Sequence, residues 1–274
     1  MHFSPLSLTD SVAWAALLAQ SFDRTPEAMQ QMLFWLHDGY PVIAWGAWDE
    51  DKLVAQYACL LVELALPYRA DSVKAGMSLN MCVHPDYRGK GLIKQVSQPV
   101  YEAIYARGGL AGIGFSNAEG VQVDRKSKGY GYRVLGSMHA VAGWLKPGKN
   151  SPGLELTDTL PEDFVSSFRS TINHADIHFS YSAQSLMHRY ACHPFRQYRY
   201  ALWREHEAIN GLVVYRQVRL RGLPGVALLA AYGDDLPELL RRWSATMRAS
   251  NLHLVHTLVS PDTQLLPALR EIAV

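Results

Sequence analysis

Hydrophobic and polar residues along this chain follow two different periods. Val42 to Trp48, Leu53 to Leu66 and Ser72 to Val83 are runs rich in aliphatic, aromatic and β-branched residues, which predict three successive strands. The first two are joined by the charged turn Asp49, Glu50, Asp51 and Lys52, as in a hairpin. From Leu92 to Arg107 the apolar positions Leu92, Val96, Val100 and Ile104 recur every fourth residue, predicting an amphipathic helix that Pro99 would kink rather than leave straight. Ahead of these runs, Met1 to Leu8 can supply a short strand. Thr9 or Asp10 then caps a helix carrying Val12, Ala15, Leu17, Leu18 and Phe22. Thr25 and Pro26 open a second helix, whose stripe of Met29, Met32, Leu33, Trp35 and Leu36 reads as core. Beyond Gly108 and Gly109 come a short strand from Leu110 to Phe115, a helix from Ala118 to Lys128, and a last strand pair from Arg133 to Leu145.

Lys146 to Gly153 is rich in turn formers and lacks large apolar residues, which reads as a boundary between two domains. After it the pattern restarts. Leu154, Glu155, Leu156, Thr157 and Asp158 echo Leu6, Ser7, Leu8, Thr9 and Asp10, and each stretch precedes a helical pattern. Tyr200 to Trp203, a charged turn, and Gly211 to Val218 echo the earlier hairpin. Strands at Val226 to Tyr232 and Leu252 to Val259 then alternate with helices at Leu236 to Ala249 and Asp262 to Ile272. The matched order of elements predicts a duplicated α/β fold, with domains at 1–146 and 154–274 and a linker at 147–153. The second copy ends before any closing strands.

Composition narrows the function classes. With 49% hydrophobic and 19% charged residues among 274, the chain has the make-up of a soluble globular protein. A net charge of +1 supplies no long-range field for nucleic acid or an acidic membrane, so neither is expected as a partner. Cys59, Cys82 and Cys192 lack metal-like spacing and fit a reducing, cytoplasmic setting. The pairs His174/His178 and His253/His256 have no Cys or carboxylate cluster beside them, and no metal is expected.

The candidate chemistry lies where the third strand of the hairpin series meets the amphipathic helix. Val83 to Ile93 reads Val-His-Pro-Asp-Tyr-Arg-Gly-Lys-Gly-Leu-Ile. A glycine-containing turn there leaves backbone N–H groups unpaired at the helix N-terminus. Those donors, the helix dipole, Arg88 and Lys90 make a site for a phosphate or pyrophosphate. The stretch resembles the pyrophosphate-binding motif of the GNAT superfamily of CoA-dependent N-acyltransferases, R/Q-x-x-G-x-G/A. Arg88 and Gly91 match it, and Ile93 stands where the family has Gly or Ala. The element order over residues 1–146 is also that of the GNAT fold.

The resemblance implies a GNAT-type mixed twisted sheet with flanking helices, present twice in tandem. It implies acetyl-CoA or another acyl-CoA as co-substrate and a small-molecule amine as acceptor, with transfer direct rather than through an acyl-enzyme. Its cofactor-binding residues would be Met81, Cys82 and Val83 on the strand, Arg88, Gly89, Lys90, Gly91, Leu92 and Ile93 at the turn, and Asn117 past the next strand. Asn117 could equally be a helix cap. Many members carry a Glu base on the fourth strand; Asn80 takes that position here and cannot accept a proton. A family Tyr on the last helix falls on Arg125. Candidate bases are therefore His84, His139, Glu63 and Asp71, of which His84 directly follows the cofactor strand. His84 and Asn80 are the candidate catalytic residues, and an inactive CoA-binding protein is the alternative.

In the second half the corresponding turn, Tyr232 to Pro237, holds Asp234 and Asp235 where the first has Arg88 and Lys90. Carboxylates there stabilise a helix start but repel a pyrophosphate. The second copy is thus expected not to bind CoA. Its aromatic and basic stretch from Tyr181 to Tyr200 could line a polar cleft for a sugar or nucleotide, or simply form an amphipathic helix and turn. An amino sugar is the acceptor that this stretch suggests.

Overall fold

The computed structural model describes residues 1–67, 69–117, 133–146, 154–162, 164, 177–206, 208–260 and 265–273. The chain divides into two compact units, Met1–Val134 with His174–Ser180, and Leu135–Asn173 with Tyr181–Val274.

The first unit runs β1 (His2–Pro5), α1 (Ser11–Phe22), α2 (Pro26–Gly39), β2 (Val42–Asp49), β3 (Lys52–Ala65), β4 (Val73–Val83), α3 (Leu92–Ala106) and β5 (Gly109–Ile113). Its sheet is ordered β1-β2-β3-β4-β5. The pairs from β1 to β4 are antiparallel and β4–β5 is parallel. A two-residue strand β8 (His178–Phe179) adds to β3 at Leu64 and Ala65. Helices cover both faces. Trp14, Leu18, Leu33 and Cys82 pack on the α1/α2 side, and Val96, Val100 and Ile104 of α3 pack on Ile43, Tyr57 and Cys59. Burial on both faces explains why β3 is a nearly unbroken apolar run rather than an alternating one. Helix α3 continues through Pro99 for its full 15 residues.

In the second unit lie β6 (His139–Trp144), β7 (Leu154–Thr157), α4 (Ala183–Leu186) with a π-helical turn at Met187–Ala191, β9 (Arg199–Glu205), β10 (Ala208–Leu220), β11 (Leu223–Gly233), α5 (Leu236–Ala249), β12 (Leu254–Val259) and α6 (Leu265–Ile272). The sheet order is β6-β12-β11-β10-β9-β7, with β11–β12 its parallel pair. Trp243, Leu239 and Met247 of α5 fill one face with Leu269 and Ile272 of α6. Leu186, Tyr190, Tyr198, Leu212 and Val214 form a smaller core elsewhere.

Strand by strand from β7 through β9, β10, β11 and β12, this sheet repeats the order β1 to β5. One strand departs from the expectation. His139–Trp144, expected to close the first sheet, pairs antiparallel with β12 along its length, from Leu254↔Trp144 to Val259↔His139. It therefore covers the edge that the second copy would otherwise expose. β6 therefore belongs to the second sheet although it precedes residue 147, and the division into units does not follow the expected 1–146 and 154–274. The linker at 147–153 and the helix expected at 118–128 lie outside the described residues.

Candidate functional site

The site begins with an irregularity in β4. Its ladder with β3 passes from Gln56↔Cys82 to Ala58↔Leu79, so β4 carries one extra residue there. This is a β-bulge, and Asn80 within it takes a left-handed backbone with φ 40°. Gln56, fully buried opposite the bulge, donates from Nε2 to the Asn80 carbonyl that the broken ladder frees. It also lies 3.7 Å from the Cys82 sulfur. The long-range contact satisfies a backbone acceptor that would otherwise be orphaned.

The bulge coincides with a parting of strands. Parallel pairing of β4 with β5 ends at Met77↔Ile113, and Ser78 to Val83 continue without a β5 partner. Their backbone groups on that edge are disposed to pair with an extended ligand, as an added strand would. Met81, Cys82 and Val83 lie in this stretch. Cys82 is buried, and desolvation pushes its thiol up to about 11, so it is protonated at neutral pH and unsuited to act as a nucleophile.

From Val83 the chain enters a 3-10 turn, Pro85–Tyr87, and then the glycine loop. Gly89 and Gly91 adopt φ of 78° and 70°, conformations that side-chain-bearing residues rarely take. A Cβ at either would meet nothing within 4 Å, so the space before the loop is open. Gly91 is the N-cap of α3 and provides no side-chain cap, and no acidic residue lies in the first turn. The first N–H groups of α3 are thus left available to an anion. Tyr87 braces the loop. Its hydroxyl donates to Asp49 Oδ2 at 2.5 Å, and Lys90 Nζ stands 4.5 Å from its ring centroid. Arg88 Nε donates to the Val83 carbonyl at 3.3 Å. Leu92 is buried, and Ile93, the departure from the family motif, packs its side chain against the α3 core cluster instead of standing before the helix end.

The candidate catalytic residues separate in the structure. His84 caps the 3-10 turn, its Nδ1 accepting from Asp86 N at 3.4 Å, and its ring packs edge-on to Tyr87. Glu63 lies toward the far end of β3, where it accepts from the Ser72 hydroxyl. His139 belongs to the sheet of the second unit. Asn117 is exposed just beyond β5, and Arg125 lies outside the described residues. Sequence reading missed His37, placed by α2 in a small cavity with Asn80, Gln56 and Trp14. Its Nδ1 lies 2.8 Å from the Leu33 carbonyl. Because a carbonyl only accepts, Nδ1 carries a hydrogen and donates it to Leu33. In sequence His37 ends an apolar stripe, and no local signal ties it to residue 80.

A mixed sheet whose bulged, splayed strand β4 runs into an uncapped helix defines an α/β class with free backbone donors at a strand-to-helix turn. The profile of the acetyltransferase (GNAT) domain matches residues 2–132. Among solved structures, a probable N-acyltransferase of unknown function from Enterococcus faecalis aligns with TM-score 0.70 at 12% identity, over 94% of this chain and 65% of that one. A GCN5-related N-acetyltransferase from Anabaena variabilis gives 0.69 at 14% identity, over 97% and 68% of the two chains. A tandem GNAT protein from the clavulanic acid biosynthesis pathway gives 0.56 at 14% identity, over 98% and 93%. This chain thus spans about 65% of the length of the Enterococcus protein. No curated protein matches it. The first unit thus carries a GNAT acetyltransferase domain, and the chain as a whole shares its fold with these proteins, a tandem GNAT protein among them.

Proposed function

We propose that this protein transfers an acetyl or other short acyl group from CoA to an amine on a small molecule, using the first unit. The observation that carries this is the continuity from the splayed edge of β4 to the uncapped N-terminus of α3. The edge takes the pantetheine amides, and the loop of Arg88, Gly89, Lys90 and Gly91 takes the pyrophosphate through backbone N–H groups and two cations. Leu92 and Ile93 supply further N–H donors, while Asn117 contacts the cofactor beyond β5. The thioester then lies beside the bulge at Asn80.

Transfer is direct, because the one thiol on the cofactor strand is buried and protonated. The amine attacks the thioester carbonyl, the C–N bond forms, and the C–S bond breaks as the thiolate departs. The proton lost by the amine passes to His37, directly or through water. His84 frames the loop as a cap. Amino sugars head the acceptors to test, and the cytoplasm is the proposed compartment; among the described residues no helix is long and apolar enough to cross a membrane.

A second reading, a CoA-binding protein without turnover, is favoured by the amide rather than carboxylate at Asn80. Calorimetric titration with acetyl-CoA, followed by thiol release with a panel of amines, separates the two. Micromolar binding with amine-dependent release is expected. Release should fall with His37→Gln while acetyl-CoA binding is kept. Binding without release under any amine gives the second reading, and no binding removes both.

A further inference from the structure

We propose that the second unit carries a separate binding site for a phosphorylated small molecule, in a cleft where Arg196 and Arg216 supply the anion contacts. The cleft measures about 1120 Å³, roughly the size that accommodates a nucleotide-sized ligand. Its origin is a step in the sheet. The ladder between β9 and β10 ends at Tyr215↔Arg199, whereas β10 pairs with β11 as far as Leu220↔Leu223. Past Tyr215, β10 therefore lacks β9 as a neighbour, and the residues before Arg199 form the other wall.

Among the described residues three arginines and one carboxylate line this space: Arg196, Arg199, Arg216 and Asp158. Asp158 pairs with Arg199 at 3.3 Å. Arg196 and Arg216 form no ion pair or hydrogen bond with a described side chain, although a guanidinium readily finds one. The excess positive charge acts on a neighbour. His193, which also lines the cleft, is lowered to about 4 by burial and then by the fields of Arg196, Arg216 and Arg189. A protein with a net charge of only +1 thus concentrates uncompensated cations in one concavity.

Two guanidiniums supply donors of the kind that hold a phosphate dianion through charge-assisted hydrogen bonds. Beside them Phe195 is 48% exposed, an apolar ring on the same wall. It suits a planar or apolar group carried by the phosphate ester. The site belongs to a different sheet from the loop of Arg88 to Gly91, and it stands whether or not the first unit transfers acyl groups.

The test is calorimetric titration of the full chain with 5′-AMP and, separately, with inorganic phosphate, for wild type, Arg196→Ala, Arg216→Ala and Arg88→Ala. Binding of 5′-AMP that weakens about tenfold or more in the first two variants and not in Arg88→Ala is expected, with phosphate weaker but showing the same order. A readout that needs no variant is the His193 imidazole resonance, whose titration should move upward from about 4 when phosphate saturates the cleft. No binding of either probe at millimolar concentration overturns the proposal. So does binding that only Arg88→Ala removes, or a His193 titration that ignores the ligand.

Discussion

The turn from β4 to α3 and the turn from β11 to α5 are built on the same plan and differ in chemistry. Each follows a strand with one extra residue, at Asn80–Met81 in β4 and at Leu229 in β11, where the ladder steps from Val214↔Ala230 to Tyr215↔Leu228. Each strand also parts from its parallel neighbour before its end, after Met77↔Ile113 in one case and Ala227↔His256 in the other. The first turn then presents Arg88, Lys90 and an uncapped helix. In the second, Asp235 caps α5 by accepting from Glu238 N at 3.0 Å, and Glu238 adds a second carboxylate in the first turn. Space differs as well. A Cβ at Gly91 meets nothing within 4 Å, while one at Gly233 would come within 2.7 Å of the Asn210 carbonyl oxygen. A helix N-terminus suits an anion when its donors are unsatisfied and no carboxylate stands there, whereas in the second copy Asp235 already caps the helix and Glu238 adds a second carboxylate.

The largest effect should come from closing the first turn. Gly91→Glu puts a side chain at φ 70° and a carboxylate at the α3 N-terminus, and acetyl-CoA affinity should fall about a hundredfold or more by calorimetry. Arg88→Ala and Lys90→Ala keep the backbone donors and should each weaken binding by roughly several-fold to tenfold, more strongly at low salt. Unchanged affinity in both would break the contrast between the turns. Gln56→Leu orphans the Asn80 carbonyl at the bulge and should cost about 1–3 kcal/mol in urea unfolding. In the second turn, Asp235→Ala removes the cap and should cost about 1 kcal/mol of stability while leaving CoA binding unchanged. The smallest effect concerns pH. His193 is held neutral when folded, so its contribution is present above an unfolded value of about 6.5 and is lost as pH falls toward about 4. His193→Gln should flatten that part of the unfolding profile.

Much of this could be read from residue order, and the misses have a common physical character. The hairpin of β2 and β3, the amphipathic α3 and the bounds Leu236–Ala249 of α5 follow from short-range periodicity, which depends only on which side chains share a face. The loop at Arg88 to Gly91 was legible for the same reason, since its donors, glycines and cations are neighbours in the chain. Alternation at Ala140, Ala142 and Trp144 marks a strand but not its sheet, and β6 went to β12 because that edge was there to be covered. Gln56 beneath Asn80, His37 in the cavity beside them, and Arg196 with Arg216 are brought together by strand register and helix packing across many intervening residues. By itself the sequence determined the elements, their repetition and the glycine loop before α3. Tertiary structure alone decided which strand closed which sheet and which distant polar groups became neighbours, because pairing partners are chosen by burial and hydrogen-bond satisfaction over the whole fold.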